Sequence, residues 1–543
     1  MRALHIMILI MLLAKSASGQ PPADEIFDTG FHPDVNGFAF ENWRSDASSS
    51  VGMNVSAMQR MFGDSVCTST AGGRCILSPP AKAWMNEANK AMAYGHCEGM
   101  AVLSALLYSG QIASSSFGSN QASQLSFQNV EIQREIAYWW ATQVTYPGNS
   151  RRVKDSPDAV LNTLIDAFKN GRNVTEWWTL GLYRPDGNGG HAITPFAIQN
   201  NSNGTAKILV YDNNFPRATR AVEINRTENT WRYQASVNPK VTKSLYSGNE
   251  STKNLEIVAI PLRLQKQVCE FCDNGSTNIS NTKGALLGGD RVQFWADGNA
   301  SLLVTDKNGQ RTGLLPTGDL VNEIPSANVT FLKFLDDPGG VNHAPIITTL
   351  DDGQLSGSVT GTGDGGSMDL VLIGSDFFAQ AQGMELEAGE VARLDVAHTG
   401  NVLDVKLSTE NLGTAKTVNL VMGISTPTGS FTFTIQSASI QQDGTLSLHL
   451  DLDQGTFSFS TNDNSNPGQL VIIIERTDTA TGESQTFANG EYSLNPNDKV
   501  TFDLNKETES VDSGDEYSET GEGNGGFSPE NYKLIIHINS QSA

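Results

Sequence analysis

The sequence is short of positive charge, of cysteine and of long apolar runs. Only 36 lysines and arginines stand against 59 aspartates and glutamates, a formal net charge of −23. That balance excludes nucleic acid as an expected partner, because a phosphate backbone needs a basic footprint; it says nothing about fold. No stretch approaches the ~20 apolar residues of a spanning helix, so no membrane-spanning segment is expected. An apolar run, Ile6 to Ala14, lies between Arg2 and the small residues Ala17, Ser18 and Gly19. This is the pattern of a secretory signal over residues 1–19, with no cysteine at the cleavage site to carry a lipid. The expected location is secreted, extracellular or in the cell envelope.

The five cysteines divide unevenly. Cys67 and Cys75 lie close together, Cys269 and Cys272 form a Cys-x-x-Cys, and Cys97 is left over. In an oxidising compartment the simplest scheme is two disulfides and one free thiol, although four cysteines allow three pairings and spacing does not choose between them. A zinc site made of all four is the less favoured alternative, since the spacing matches no zinc ribbon. An unpaired thiol in an exported protein calls for a functional explanation.

What is present begins with Gly95-His96-Cys97-Glu98-Gly99-Met100. Apolar residues at Met100, Val102, Leu103, Leu106 and Leu107 predict an amphipathic helix from Cys97, stopped at Gly110. The sulfur would then sit at a helix N-terminus, where unpaired backbone N–H groups and the dipole favour a thiolate. Read alone, Cys97 is better explained as a small core residue; the downstream residues are what change that. Glu98 is expected to favour the helix start, at some cost to a neighbouring thiolate. His96 is read as structural or as a minor modulator of the thiol.

Other helices are predicted after a Ser56–Gln59 capping box, after Ser78-Pro79-Pro80, over Val130 to Trp140, and from Ser156-Pro157 to Gly171. The period then becomes strand-like: Trp177 to Tyr183, His191 to Ile198, Lys207 to Asp212, Leu255 to Leu262. Helices followed by an antiparallel sheet make an α+β domain, placed at residues 20–273. Beyond it only strands and turns appear. Residues 285–376, with Ser301 to Thr305 and Met368 to Ile373, read as one β-sandwich module. Residues 377–543, with Phe431 to Ile435 and Leu470 to Glu475, read as a second. Within the second lies an acidic Gly/Ser-rich loop, 506–526. Asp503, Asn505, Glu507, Glu509 and Asp512 are candidates to gather calcium, but the EF-hand glycine is missing and a solvated loop is the better reading. No metal and no cofactor is implied.

Two downstream blocks bear on Cys97. Gly189-Gly190-His191-Ala192-Ile193-Thr194-Pro195 puts a histidine at the head of an alternating strand, with no side-chain bulk before it. Ile208-Leu-Val-Tyr-Asp212-Asn213-Asn214-Phe215-Pro216 ends a strand in a carboxylate and two amides. If the two strands pair across the Asn200–Gly204 turn, Asp212 or Asn213 reaches the imidazole. That would complete a nucleophile, a base and a group that orients the base.

In this order the residues resemble the papain-like cysteine peptidase superfamily. The Gly-Gly-His-Ala-Ile…Val-Tyr-Asp-Asn-Asn-x-Pro half is closest to peptidases that process bacteriocin leaders. Gly-His-Cys-Glu-Gly-Met-Ala is similar to transglutaminase-like members. The resemblance covers about residues 50–265 and implies Cys97 as nucleophile, His191 as base and Asp212 as orienting residue, with Asn213 as rival. It implies a fold class of α+β papain-like N-terminal domain followed by all-β sandwich-type domains. The usual oxyanion-stabilising Gln is missing before Cys97; Asn89 or Asn86 is the expected substitute, alongside the Cys97 N–H. The expected activity is amide-bond hydrolysis on a protein or peptide substrate. The alternatives are transglutaminase-like acyl transfer and a non-catalytic surface or adhesion protein. The β modules are expected to position the enzyme or bind a cell-surface partner.

Overall fold

The structure is a computed structural model that describes residues 24–44, 51–184, 190–235, 245–272, 291–333, 344–363, 365–399, 401–462, 467–505 and 536–539. The expected signal segment 1–19, the acidic loop 506–526 and Gly189 lie outside the described residues. Among the described residues every strand pairing is antiparallel, and no helix is long and apolar enough to cross a membrane.

Among the described residues the α-helices come before residue 170: α1 (Pro33–Asn36), α2 (Val55–Phe62), α3 (Pro79–Met92), α4 (Cys97–Tyr108), α5 (Val130–Ala141) and α6 (Pro157–Phe168). Local chemistry sets their ends. Ser78 Oγ accepts the Ala81 N–H at 3.4 Å and Ser156 Oγ the Ala159 N–H at 3.3 Å, each with proline in the first turn. α2 starts earlier than the Ser56–Gln59 box predicts. Asn54 Oδ1 takes the Ala57 N–H at 2.9 Å, so Ser56 is already helical and has no free N–H to cap. Gly110, with φ at +72°, supplies the left-handed residue just beyond α4.

α4 is not amphipathic. Every residue from Cys97 to Leu107 is buried, because α5 closes one side and a sheet the other. A Cβ at Gly99 would lie 2.0 Å from the Ile136 carbonyl oxygen, so α4 and α5 approach as closely as they do only because that residue is glycine.

That sheet uses β1 (Glu25–Asp28), β4 (Arg152–Asp155), β5 (Trp178–Tyr183), β6 (Gly190–Asn200), β7 (Thr205–Tyr211), β8 (Thr219–Asn225), β9 (Thr230–Gln234), β10 (Leu245–Asn249) and β11 (Leu255–Ala259); β2 (Cys67–Ser69) and β3 (Ile76–Leu77) form a separate small hairpin. Its order is β10-β9-β8-β7-β6-β5-β11-β4, with β1 added beside β6. The pleat sends alternate residues of β6 to opposite faces. Ile193 joins the apolar cluster of α6, whereas Ala192 packs on Cys97 and Ala101 of α4. Pro195, which cannot donate to the ladder, sits where the β6–β7 register shifts.

After residue 290 the chain forms two more sheets. One has nine strands, in the order Asn328–Thr330, Ile346–Leu350, Arg291–Asp297, Ser367–Ile373, Phe377–Glu385, Lys416–Thr426, Gly429–Ile440, Gly468–Asp478 and Ser484–Leu494. The other has ten, including Ala300–Asp306, Gln354–Gly361, Val391–Thr399, Val402–Glu410 and Thr456–Thr461. Their facing residues, among them Phe294, Leu302, Leu394, Leu420, Phe433, Phe457 and Ile472, share one core. The two modules expected on either side of residue 376 are therefore halves of one sandwich. Ser367–Ile373 pairs with Phe377–Glu385 inside a single sheet, and neither half alone could cover its apolar face.

The sandwich is also packed on the α/β part. Val371, Ile373 and Phe378 belong to the cluster of Phe62, Trp84 and Phe271, while Leu370 and Leu372 point into the sandwich core. The unbroken apolar run Leu370-Val-Leu-Ile373 is a strand buried on both faces.

Candidate active site

β6 and β7 pair antiparallel across a turn in which Gly204 has φ at +81°. His191 stands one residue into β6, and Asp212 one residue beyond β7. The hairpin brings them together: His191 Nε2–H donates to Asp212 Oδ1 at 2.8 Å. Asp212 Oδ1 also accepts the Asn214 N–H at 2.9 Å, and Oδ2 accepts the Tyr233 hydroxyl. His191 is hydrogen-bonded as well to the Cys97 sulfur, which in turn accepts the Ala192 N–H at 3.3 Å. With Nε2 taken by Asp212, Nδ1 is the nitrogen left to face the sulfur.

Burial opposes charge on every member, and pairing overrides it. Burial pushes the His191 imidazole toward neutrality, but the Asp212 carboxylate and then the Cys97 sulfur hold its pKa well above the ordinary value. Burial pushes the Asp212 carboxyl up, while His191, the Tyr233 hydroxyl and the Asn214 N–H bring it below the ordinary carboxylate range. The arrangement is a thiol, an imidazole poised to be cationic and a fully solvated-by-protein carboxylate in one chain of hydrogen bonds.

Asn213 does not orient the imidazole. Its Nδ2 donates to the Cys97 carbonyl at 3.0 Å and to the Ala192 carbonyl at 2.9 Å, tying the start of α4 to β6. A second tie is the Thr194 hydroxyl, 3.0 Å from Ser104 Oγ and donating to the Ala101 carbonyl at 3.1 Å. The oxyanion expectation is also corrected. Asn89 spends both ends of its amide on Met53, accepting from its N–H at 2.7 Å and donating to its carbonyl at 3.1 Å. Asn86 is exposed on α3. Both lie on the preceding helix, whose register turns them away from the start of α4.

An amide that sequence reasoning missed sits there instead. Asn42 Oδ1 accepts the His96 N–H at 2.8 Å, and the Asn42 N–H donates to the Asn213 carbonyl at 2.9 Å. Asn42 Nδ2 is buried with no hydrogen-bond partner, beside a helix start whose own first N–H groups lack intrahelical acceptors. His96, read as structural, stacks on Trp43 with ring centroids 4.0 Å apart and has Nδ1 3.2 Å from the Trp43 carbonyl. Burial pushes its pKa down to about 4.

The cysteines pair as Cys67–Cys75 and Cys269–Cys272, leaving Cys97 as the free thiol, buried. A zinc site made of the four is thereby excluded. Among the described residues no group of three or more His, Cys, Asp or Glu is placed to hold a metal ion.

The chain matches no family model, no curated protein and no solved structure. Geometry is what bears on function. Tyr233 and Asn42 are the two contacts the sequence concealed. Tyr233 shows only as one alternating position of a strand, Trp231-Arg232-Tyr233, and Asn42 lies 55 positions before the thiol in a polar segment.

Proposed function

We propose that this protein is an exported cysteine peptidase-like hydrolase with a papain-like α+β domain, cleaving amide bonds in a protein or peptide substrate. The observation that carries this reading is the single imidazole joined on one side to a free sulfur and on the other to a buried carboxylate. In the reaction the Cys97 sulfur attacks the amide carbonyl after passing its proton to His191. The developing oxyanion takes the Asn42 Nδ2–H, with the Cys97 N–H as second donor. His191 returns the proton to the departing amine, leaving a thioester on Cys97. Water, deprotonated by His191, then hydrolyses the thioester and restores the thiol. Asp212 keeps the imidazole oriented and stabilises its cationic form.

One observation favours a second reading. Cys97, His191 and Asp212 have no solvent exposure, so the sulfur must be uncovered before a substrate can reach it. A surface protein that keeps the fold without turnover has no such requirement. The two are separated by the pH dependence of Cys97 alkylation with iodoacetamide, run beside hydrolysis of a mixed peptide library. Catalysis predicts alkylation at a pH well below that of an ordinary thiol, an advantage lost in His191→Ala, and peptide cleavage lost in Cys97→Ala. Alkylation like that of a free cysteine, unchanged by His191→Ala, would sink the hydrolase reading. Cross-linked product on adding a primary amine would move the assignment to acyl transfer.

A further inference from the structure

Glu98 follows Cys97 on α4 and is fully buried. Its Oε1 accepts from Arg263 and from the Thr179 hydroxyl at 3.1 Å, and its Oε2 lies 3.4 Å from Lys333 Nζ. Lys333 comes from the C-terminal half of the chain, three residues after the sandwich strand Asn328–Thr330. The same ammonium is 3.0 Å from Glu256 Oε1 on β11. Glu256 in turn accepts the Tyr183 hydroxyl at 3.1 Å and has Oε2 3.3 Å from Arg152 Nε. Lys154 also acts on Glu256, and His191 is the charged group on Cys97 itself.

Lys333 is built in. Its N–H donates to Gln143 Oε1 at 3.1 Å, and its carbonyl accepts the Trp140 indole N–H at 3.3 Å. Its stem lies over Gly181, where a Cβ would be 2.7 Å from Lys333 Cε. The sandwich thus reaches through the end of α5 to the carboxylate next to the nucleophile. Without Lys333, Glu98 would keep Arg263 and the Thr179 hydroxyl, and Glu256 would keep Arg152, Lys154 and the Tyr183 hydroxyl, with no ammonium bridging the two carboxylates. An uncompensated buried carboxylate is costly, and one carried by the residue after Cys97 opposes a thiolate there.

We propose that Lys333 is a positioning residue for Cys97: its ammonium cancels the Glu98 carboxylate one residue along the helix, so that the sandwich completes the reactive site. This rests on the hydrolase reading above, and it makes the C-terminal half part of the chemistry rather than an attached module. The experiment uses the full chain and follows iodoacetamide alkylation of Cys97 against pH, a readout that mere loss of packing would not move. Lys333→Met is expected to raise the alkylation midpoint by about one pH unit and to slow hydrolysis at neutral pH about tenfold, the size of a unit charge acting over roughly 12 Å at an effective dielectric constant of ~20. Lys333→Arg, and Glu98→Gln combined with Lys333→Met, are expected to restore the wild-type midpoint. Glu98→Gln alone is expected to lower it, and carries the test if Lys333→Met does not fold. A wild-type midpoint in Lys333→Met, or in Glu98→Gln, overturns the proposal while leaving the hydrolase reading intact. An ordinary-thiol midpoint in the wild type, insensitive to His191→Ala, overturns both.

Discussion

Three histidine–aspartate pairs of nearly equal length occur among the described residues; His449 Nδ1, 2.7 Å from Asp404 Oδ1, is the most exposed, and the other two do different things. His191 Nε2 is 2.8 Å from one oxygen of Asp212, and His398 Nε2 is 2.8 Å from both oxygens of Asp351. The second pair lies on the sandwich, its histidine side chain 34% exposed and tilted against Phe377 with ring centroids 5.1 Å apart. The hydrogen bond to Asp351 is what raises the His398 pKa, with burial a smaller opposing effect. At His191 burial is the largest influence and is overcome only because a buried carboxylate and a sulfur both favour the cation. A histidine–aspartate contact is therefore not in itself a site. The first pair differs in having a third party, Cys97, and a carboxylate whose remaining acceptor positions are filled by Tyr233 and the Asn214 N–H.

The sharpest way to break the comparison is to remove each imidazole. His191→Ala should lower peptide hydrolysis by about 10⁴-fold or more, whereas His398→Ala should leave it unchanged; equal effects in steady-state assays would erase the distinction. Next come the carboxylates. Asp212→Asn should cost about 10³–10⁴ in kcat because the imidazole loses its orientation and its counter-charge. Asp351→Asn should cost no activity and at most about 1 kcal/mol in denaturant unfolding, as expected of a partly exposed pair. Asn42→Asp tests the donor at the helix start: it keeps an acceptor for the His96 N–H but removes the unpartnered Nδ2–H. A fall of about 10²–10³ in kcat with little change in KM is expected.

The smallest effect concerns stability and a third histidine. The raised His191 pKa contributes stability that is fully present below about pH 6.5 and is lost as pH rises through the folded value; the depressed Asp212 pKa contributes stability present above about pH 4 and lost as pH falls through its folded value. His96 has the opposite shift to His191. Its pKa falls to about 4 on folding, so the unfolded chain binds the extra proton and stability drops as pH falls from about 6.5 to about 4, by up to about 3 kcal/mol. Urea unfolding across that range should lose this component in His96→Phe, and an unchanged acid limb would show that His96 is not its source.

Much of the site was legible because its grammar is local. A thiol left over by two close cysteine pairs, a histidine at the head of a strand and a carboxylate at the end of the next are each set within a few residues. A hairpin turn is enough to bring the last two together. The burial of α4 on all sides was not legible from its apolar spacing, since Glu98 and Ser104 look like solvent-facing polar positions until Arg263, Lys333 and Thr194 are seen to meet them. The boundary at residue 376 failed for a related reason. A hairpin within a sheet and a linker between sheets present the same turn residues, and only the shared core distinguishes them.

The amino-acid order alone pointed to Cys97 as the cysteine left over, to His191 at the head of one strand with Asp212 and Asn213 at the end of the next, and to helices preceding a long β region. Hydrogen-bonding and side-chain alternation act over a few residues, so these features need no distant partner. The tertiary structure alone decided that Asn42 meets the start of α4, that Asn89 does not, and that Lys333 of the sandwich lies against Glu98. Contacts between segments tens or hundreds of residues apart follow from which apolar faces pack together, and residue spacing carries no record of that choice.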